Sequence, residues 1–428
     1  MKRKSIITLS LIALLVFAVT ATSSAWWIFG GDEEKKKKDG EVTITFSTGI
    51  DNTGTDPLLI KKFEEKYPNI NVKLIEQPSS SDTQHDTYVT KLSAGSSSID
   101  VMNVDVIWPA EFAAAGWLEP LNKYFTEEEI NKFLPGPIDA VTYKGKMYAV
   151  PWFTDAGMLY YRKDIVKDAP DTWSELYTKA KKYMGKKGTT MGFTFQAKQY
   201  EGLVCDILEY FWSNGGAVLN DQGKVVIDSP ENLQALKFVK KLVQSKVTPP
   251  GITTFMEESS RRPFTEGKAV FNRNWPYVWS IAQSKGSPVK GKVGIAPMPR
   301  GPQGDSGAAT LGGWNLAINK YSEHKEAAVK FVKFMTSYKM QAFNAIKSSR
   351  IPTRKAVYHD KEVLEVNPYY KDMYNVFINA KPRPVTPMYP QISDVIQVEV
   401  HKVINGMKSA DKALETMQKK IEKLMNMM

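Results

Sequence analysis

From Glu41 onward the chain alternates strand-like with helix-like segments, and this alternation restricts the fold more than any other feature. VTITF (42–46) puts Val42, Ile44 and Phe46 on one face, the two-residue period of a strand. Asp56-Pro57 then opens a helix with Leu59, Phe63 and Tyr67 at four-residue steps, and Pro68 stops it. INVKLIE (70–76) predicts the next strand, a short helix over Tyr88–Ser93 ends at Gly95, and DVMNVD (100–105) predicts a third strand. Strand, helix, strand, helix, strand implies an α/β fold with a mostly parallel sheet covered on both faces. Ligands of such sheets gather beyond the carboxyl ends of the strands, and Asp105 stands at one of those ends.

Further along, Thr172 and Glu175 predict a capping box for a helix whose apolar face is Leu176, Ala180 and Tyr183. Ser229-Pro230 starts another helix, with Leu233, Leu236, Val239, Leu242 and Val243 as its core stripe. Ser322 begins one carrying Ala327, Ala328, Phe331, Val332 and Met335, and Leu414, Met417, Ile421, Leu424 and Met428 form the closing stripe. These stripes are core. The 428 residues suffice for two or three domains, and no repeat of solenoid or propeller length is present.

The first residues address the compartment. Lys2, Arg3 and Lys4 precede an apolar run from Ile6 to Ala21 and then Thr22-Ser23-Ser24-Ala25. A positive start, an apolar centre and small residues at the end predict an export signal over 1–25, cut after Ala25. Trp26, Trp27, Ile28 and Phe29 prolong the apolar stretch, and Trp favours the membrane–water interface, so an uncut N-terminal anchor tethering the protein to the cell surface is the alternative. No cysteine stands at the cut to carry a lipid. Residues 26–40 form a charged linker, with Asp32–Glu41 mixing both signs.

Cleavage removes three cations and no acid, so the formal charge falls from +11 to +8. The densest basic block, Lys35–Lys38, lies in the linker without interleaved aromatics, which argues against nucleic acid as a partner. A single thiol, Cys205, excludes an internal disulfide framework and a cysteine-based zinc site. His85, His324, His359 and His401 are too scattered to offer a metal-ligand spacing. Gly304-Asp305-Ser306-Gly307 resembles a protease nucleophile loop, but no histidine stands in a suitable context to take the serine proton, and a glycine-rich turn is the better account. Gly267-Lys268 lacks the flanking residues of a phosphate-cradling loop. Asp105, Glu111, Asp155 and Glu201 are candidate carboxylates for the acid and base of a glycosidase; surface or helix-cap roles are the competing account.

Four turn-rich stretches combine aromatics with fixed polar groups. They are Pro151-Trp152-Phe153-Thr154-Asp155, Asn274-Trp275-Pro276-Tyr277-Val278-Trp279, Leu311-Gly312-Gly313-Trp314-Asn315 and Arg383-Pro384-Val385-Thr386-Pro387-Met388-Tyr389. A sugar has apolar C–H faces and a rim of hydroxyls. Aromatic rings cover the faces, and carboxylates and Arg take charge-assisted hydrogen bonds at the rim. The combination suits a neutral polyol better than an anion.

Six segments make the comparison specific: DVMNVDVIWPAEFAAAGWLEPL (100–121), YAVPWFTDAGMLYYRKDIV (148–166), FTEGKAVFNRNWPYVW (264–279), GIAPMPRGPQG (294–304), LGGWNLAINKYSEHKEAAVKFVKFM (311–335) and RPVTPMYPQISDV (383–395). From about residue 42 to its end the chain resembles the extracellular solute-binding proteins of sugar ABC transporters, the cluster that includes the trehalose/maltose-binding proteins. The resemblance implies a two-lobed, type II periplasmic-binding-protein-like fold with the ligand cleft between lobes joined by a multi-crossing hinge. Lobe 1 is expected over 41–153 and 300–350, and lobe 2 over 154–299 and 351–428. The crossings would then fall near Pro151–Asp155, Pro297–Pro299 and Ile351–Pro352.

The same resemblance suggests Asp105, Asp155, Trp275, Tyr277, Gly313, Trp314 and Arg383 as ligand contacts. Phe153 matches a position where relatives can carry a tyrosine, and Trp152 beside it joins the candidate set. The loop Ser47-Thr48-Gly49-Ile50-Asp51 departs from the family pattern. The implied function is that of a non-catalytic, cofactor-free, monomeric receptor outside the cytoplasm, periplasmic or on the cell surface. It would deliver a disaccharide such as maltose or trehalose, or a related oligosaccharide, to membrane permease subunits. A tethered glycoside hydrolase, a receptor for another polyol or glycoside, and an adhesive surface protein are the alternatives.

Overall fold

The computed structural model describes residues 40–427; the expected export signal, most of the charged linker and Met428 lie outside them. Twelve strands occur among the described residues, in chain order β1 (Val42–Gly49), β2 (Ile70–Gln77), β3 (Val101–Asp105), β4 (Thr142–Tyr143), β5 (Lys146–Met147), β6 (Ala149–Ala156), β7 (Met158–Arg162), β8 (Met191–Thr194), β9 (Ala269–Asn274), β10 (Val293–Ala296), β11 (Leu311–Ile318) and β12 (Ile351–Pro352). They form a six-stranded sheet in the order β12-β6-β11-β3-β1-β2, a four-stranded sheet in the order β10-β7-β9-β8, and the hairpin β4-β5.

The opening β-α-β-α-β unit is as the sequence predicts. β1 pairs parallel with β2 and β3, and Ile44 and Phe46 are buried. The helix between β1 and β2, Asp56–Lys66, has Pro at its start and buries Leu59 and Phe63. The next helix, Ser81–Ser93, is seven residues longer at its start than the apolar residues alone suggested. The sheet is mixed rather than mostly parallel, because β11 runs antiparallel to both β3 and β6. It enters this sheet from the other half of the chain, travelling in the opposite sense.

Each sheet has its own core. Ile44, Phe46, Phe63, Trp152 and Phe331 pack around the larger sheet, and Leu159, Phe193, Leu208, Ile396 and Met417 around the smaller. A third cluster, with Met158, Tyr160, Ala345, Tyr358 and Tyr370, covers the junction. The two halves exchange chain where strands of one sheet lead into the other. β6 stays in the larger sheet through Ala156 and β7 joins the smaller one at Met158, so the switch is made at Gly157. A Cβ on Gly157 would overlap the Glu209 carboxylate, so the close approach requires glycine here. Arg300 and Gly301 still bond to Asp171 and Ser213 of the second half, and β12 pairs back onto β6.

Local capping differs in detail. The Thr172 hydroxyl accepts from Glu175 N–H at 3.2 Å, but the Glu175 carboxylate reaches Asp171 N–H instead of returning to Thr172. The box is therefore half formed. Ser229 caps Pro230–Gln244 as expected. Ser322 does not begin its helix, which spans Lys325–Met335; its hydroxyl donates to Asp100 at 2.5 Å and accepts from His324 N–H. The four expected apolar stripes are buried or half-buried over their described residues. Gly304 and Gly307 sit where a Cβ would strike the Ser213 and Met298 carbonyls, so the glycine-rich segment is a tight turn against neighbouring backbone.

Candidate functional site

Between the two halves lies a cavity of about 460 Å³, within the range that holds small ligands. The ends of β3, β6 and β11 form its first wall. Across these strands Asp105 pairs with Trp314, and Trp314 with Phe153, so three candidates stand in one row. Trp314 rests edge-on against Trp108, ring centroids 5.6 Å apart. Gly313, at φ 129°, brings β11 onto β6 where any Cβ would meet the Phe153 carbonyl at 2.8 Å. Its contribution is the close approach that presents Trp314.

The opposite wall follows β9. Trp275 lies just beyond it, half-buried, its ring faced by the Arg273 guanidinium at 4.2 Å. Arg273 is fully buried and held by Glu209 at 2.6 Å, Asp206 at 3.3 Å and the Gln196 carbonyl oxygen at 2.9 Å. Trp275 also meets β11, because Gly312 leaves room for its ring. The Tyr277 hydroxyl donates to Glu258 at 2.8 Å, and Glu258 is itself paired with Arg261.

The Asp155 carboxyl, near the end of β6, lines the cavity and forms no hydrogen bond or ion pair with another described residue, while the Asp155 backbone pairs with Gly312 of β11. Burial pushes its carboxyl up to about 8, with the Asp105 charge adding to the rise and Arg350 and Arg273 opposing it. A neutral carboxyl can donate as well as accept a hydrogen bond. Arg383, only 3% exposed, donates through Nη1 to Glu201 at 2.7 Å and through Nη2 to Asp105 at 2.8 Å. Its Nε has no partner among the described residues.

Eight of the nine sequence candidates, Asp105, Phe153, Asp155, Trp275, Tyr277, Gly313, Trp314 and Arg383, therefore line one cavity. Trp152 does not. Trp152 is the extra residue of β6 at a bulge opposite the step from Trp314 to Asn315, and its ring sits in the core of the larger sheet, edge-on to Phe46 and Phe153 with centroids 5.9 and 5.2 Å away. Of the four carboxylates weighed as a catalytic pair, Glu111 bonds His85 at 2.7 Å and does not line the cavity, and Asp105 and Glu201 share one guanidinium.

The sequence reading missed Glu257, Glu258 and Arg350 as lining residues, and Arg273 behind Trp275. Arg350 precedes β12, pairs with Asp56 at 2.5 Å and Asp51 at 3.2 Å, and lies 4.6 Å over the Phe153 ring. It thereby ties the unusual loop after β1 to the cavity wall. Arg273 stands between Asn272 and Asn274, and Arg350 follows Ser348-Ser349, so neither carried a sequence signal of its role.

Two lobes, an exchange of chain between them and a cavity at their junction define a solute-binding protein. The chain belongs to the bacterial extracellular solute-binding protein family, whose model matches residues 47–342. A probable ABC transporter-binding protein of Deinococcus radiodurans is 37% identical over 90% of this chain and 94% of its own length. Among solved structures, maltose-bound T. maritima MalE3 is 49% identical, with a TM-score of 0.86, and covers 90% of this chain and all of the other. A solute-binding protein of Thermotoga lettingae bound with α-D-tagatose is 29% identical at a TM-score of 0.82, over 90% of this chain and all of its own.

Proposed function

We propose that this protein is an exported receptor that binds a neutral carbohydrate, foremost a disaccharide of the maltose or trehalose kind, and passes it unchanged to an ABC importer. One observation carries the reading: aromatic rings from the two halves, Trp314 and Trp275, line the same cavity as the unpartnered Asp155 carboxyl. Rings cover the C–H faces of a pyranose while the carboxyl exchanges hydrogen bonds with its hydroxyls. The likeness to the maltose-bound T. maritima protein favours maltose; the tagatose-bound relative marks a smaller sugar as the second candidate.

In this mechanism sugar first meets one lobe, and the other closes over it by hinge motion. Ligand favours closure only through contacts that differ between the open and closed states. The lobes exchange chain near Gly157, within the segment 302–310, and beyond Pro352. The receptor works as a monomer whose partner is a permease pair, binds no nucleic acid, needs no cofactor and performs no catalysis. Residues 1–25 serve as the export signal, with an uncut anchor the alternative.

Calorimetry with maltose, trehalose and tagatose tests the reading. Asp155→Ala weakens binding of the sugar that binds by about 0.5–1.5 kcal/mol, the contribution of a hydrogen bond to a neutral group. Trp275→Ala abolishes most of the ligand-induced change in tryptophan fluorescence. Unaltered affinity in the first variant and an intact signal in the second exclude this cavity as the site. Reducing ends released from a glycan by the purified protein establish a hydrolase instead.

A further inference from the structure

One group of charges joins the two halves directly. Glu201 opens the helix Glu201–Ser213, which packs in the core of the second half. Its buried carboxylate accepts from the Tyr389 hydroxyl at 2.5 Å and from the Ser393 hydroxyl, both on the helix Tyr389–Ile404 of the same half. Two further bonds of Glu201 lead toward the first half. Its backbone N–H donates to Asp82 on the helix Ser81–Ser93 at 3.2 Å. Its carboxylate also holds Arg383, whose other nitrogen reaches Asp105 at the end of β3.

A helix start leaves backbone N–H groups without partners inside the helix. Tyr200, at the cap position of Glu201–Ser213, supplies no side-chain acceptor. The missing acceptor comes from the other half, as the Asp82 carboxylate, placed at the end of the helix dipole that favours negative charge. Gln397, again from the second half, donates to Ser393 beside the Glu201 carboxylate. Arg383 is anchored at the junction itself, because Lys381 two residues before it bonds Ala309 and Leu311. Opening the halves separates Asp82 from Glu201 and draws Arg383 away from one of its two carboxylates; the Asp82 side chain stands outside the cavity lining.

We propose that Asp82, Glu201 and Arg383 form an inter-lobe latch that populates the closed arrangement before any ligand arrives. Asp82 is a positioning residue: it does not line the cavity and acts on binding only through closure. The proposal rests on the two-lobe closing motion described above but not on the identity of the sugar. Apparent affinity scales with the fraction of molecules able to close, so loss of the latch weakens binding by speeding dissociation.

Small-angle scattering of the ligand-free full chain tests the latch without any sugar. Asp82→Ala and Asp82→Lys enlarge the radius of gyration relative to the unaltered protein, and Asp82→Asn, which keeps one acceptor oxygen, falls between. Melting curves that stay cooperative show that the variants fold, and Asp82→Asn remains informative if the lysine variant does not. With maltose as probe, Asp82→Ala raises the dissociation rate about tenfold, the equivalent of one hydrogen bond to a charged group, with the association rate changed far less. Equal radii for the ligand-free unaltered protein and Asp82→Lys overturn the latch whatever maltose does. Failure of maltose to bind, with the radii still differing, removes the sugar assignment and leaves the latch standing.

Discussion

Asp155 has the ionisation behaviour most open to measurement. Its carboxyl titrates near 8 in the folded chain, chiefly through burial, and near 4 when unfolded. The folded form therefore holds its proton after the unfolded form has lost it. The stability this group contributes is full below about pH 4 and declines as pH climbs toward about 8. Asp155→Asn cannot ionise, so its stability relative to the unaltered protein rises over that window. Urea melts at about pH 5 and about pH 8 read the difference directly; parallel pH profiles contradict the assignment. Arg273 is the opposite kind of residue, a buried cation that must stay charged between Asp206 and Glu209. Arg273→Met strands two carboxylates and costs about 3–5 kcal/mol, visible as a lower denaturation midpoint. It also frees the Trp275 ring from the guanidinium stacked against it. A midpoint unchanged within error rules out that role.

At the level of elements, the first crossing depends on a single missing methyl group. Gly157 passes so close to Glu209 that Ala cannot be accommodated without displacing the carboxylate from Arg273 and Thr310 N–H. Gly157→Ala therefore costs about 1–3 kcal/mol, as other overpacked sites do, and slows closure; thermal denaturation reads the first effect. Elements of this kind divide what the sequence discloses from what it conceals. Periodicity fixed the strands β1 to β3 and the stripes of Pro230–Gln244 and Lys325–Met335, because one face of each meets a core. It missed β6 and β11, because Pro and Gly made Pro151–Asp155 and Leu311–Asn315 read as turns, and the antiparallel direction of β11 depends on where the chain has been and not on its own residues. It also lost the start of Ser81–Ser93, whose polar first turns carry little apolar signal.

Across the whole molecule, eight of the nine candidates that the aromatic stretches, the end of β3 and the resemblance offered line one hollow. Trp152 illustrates the limit. It shares an aromatic stretch with Phe153, yet the bulge in β6 seats its ring in the core of the larger sheet and out of the cavity lining. Arg350 was illegible for a different reason, and Glu201 was weighed only as a possible catalytic carboxylate, since their partners Asp56 and Arg383 stand 294 and 182 residues away. The receptor account requires these distant segments to act together on one ligand. A crystal structure of the protein grown with maltose tests that requirement most directly. The account predicts a pyranose ring between Trp275 and Trp314, a hydroxyl on Asp155, and contacts from both halves; a sugar bound to one half alone, or outside this hollow, contradicts it.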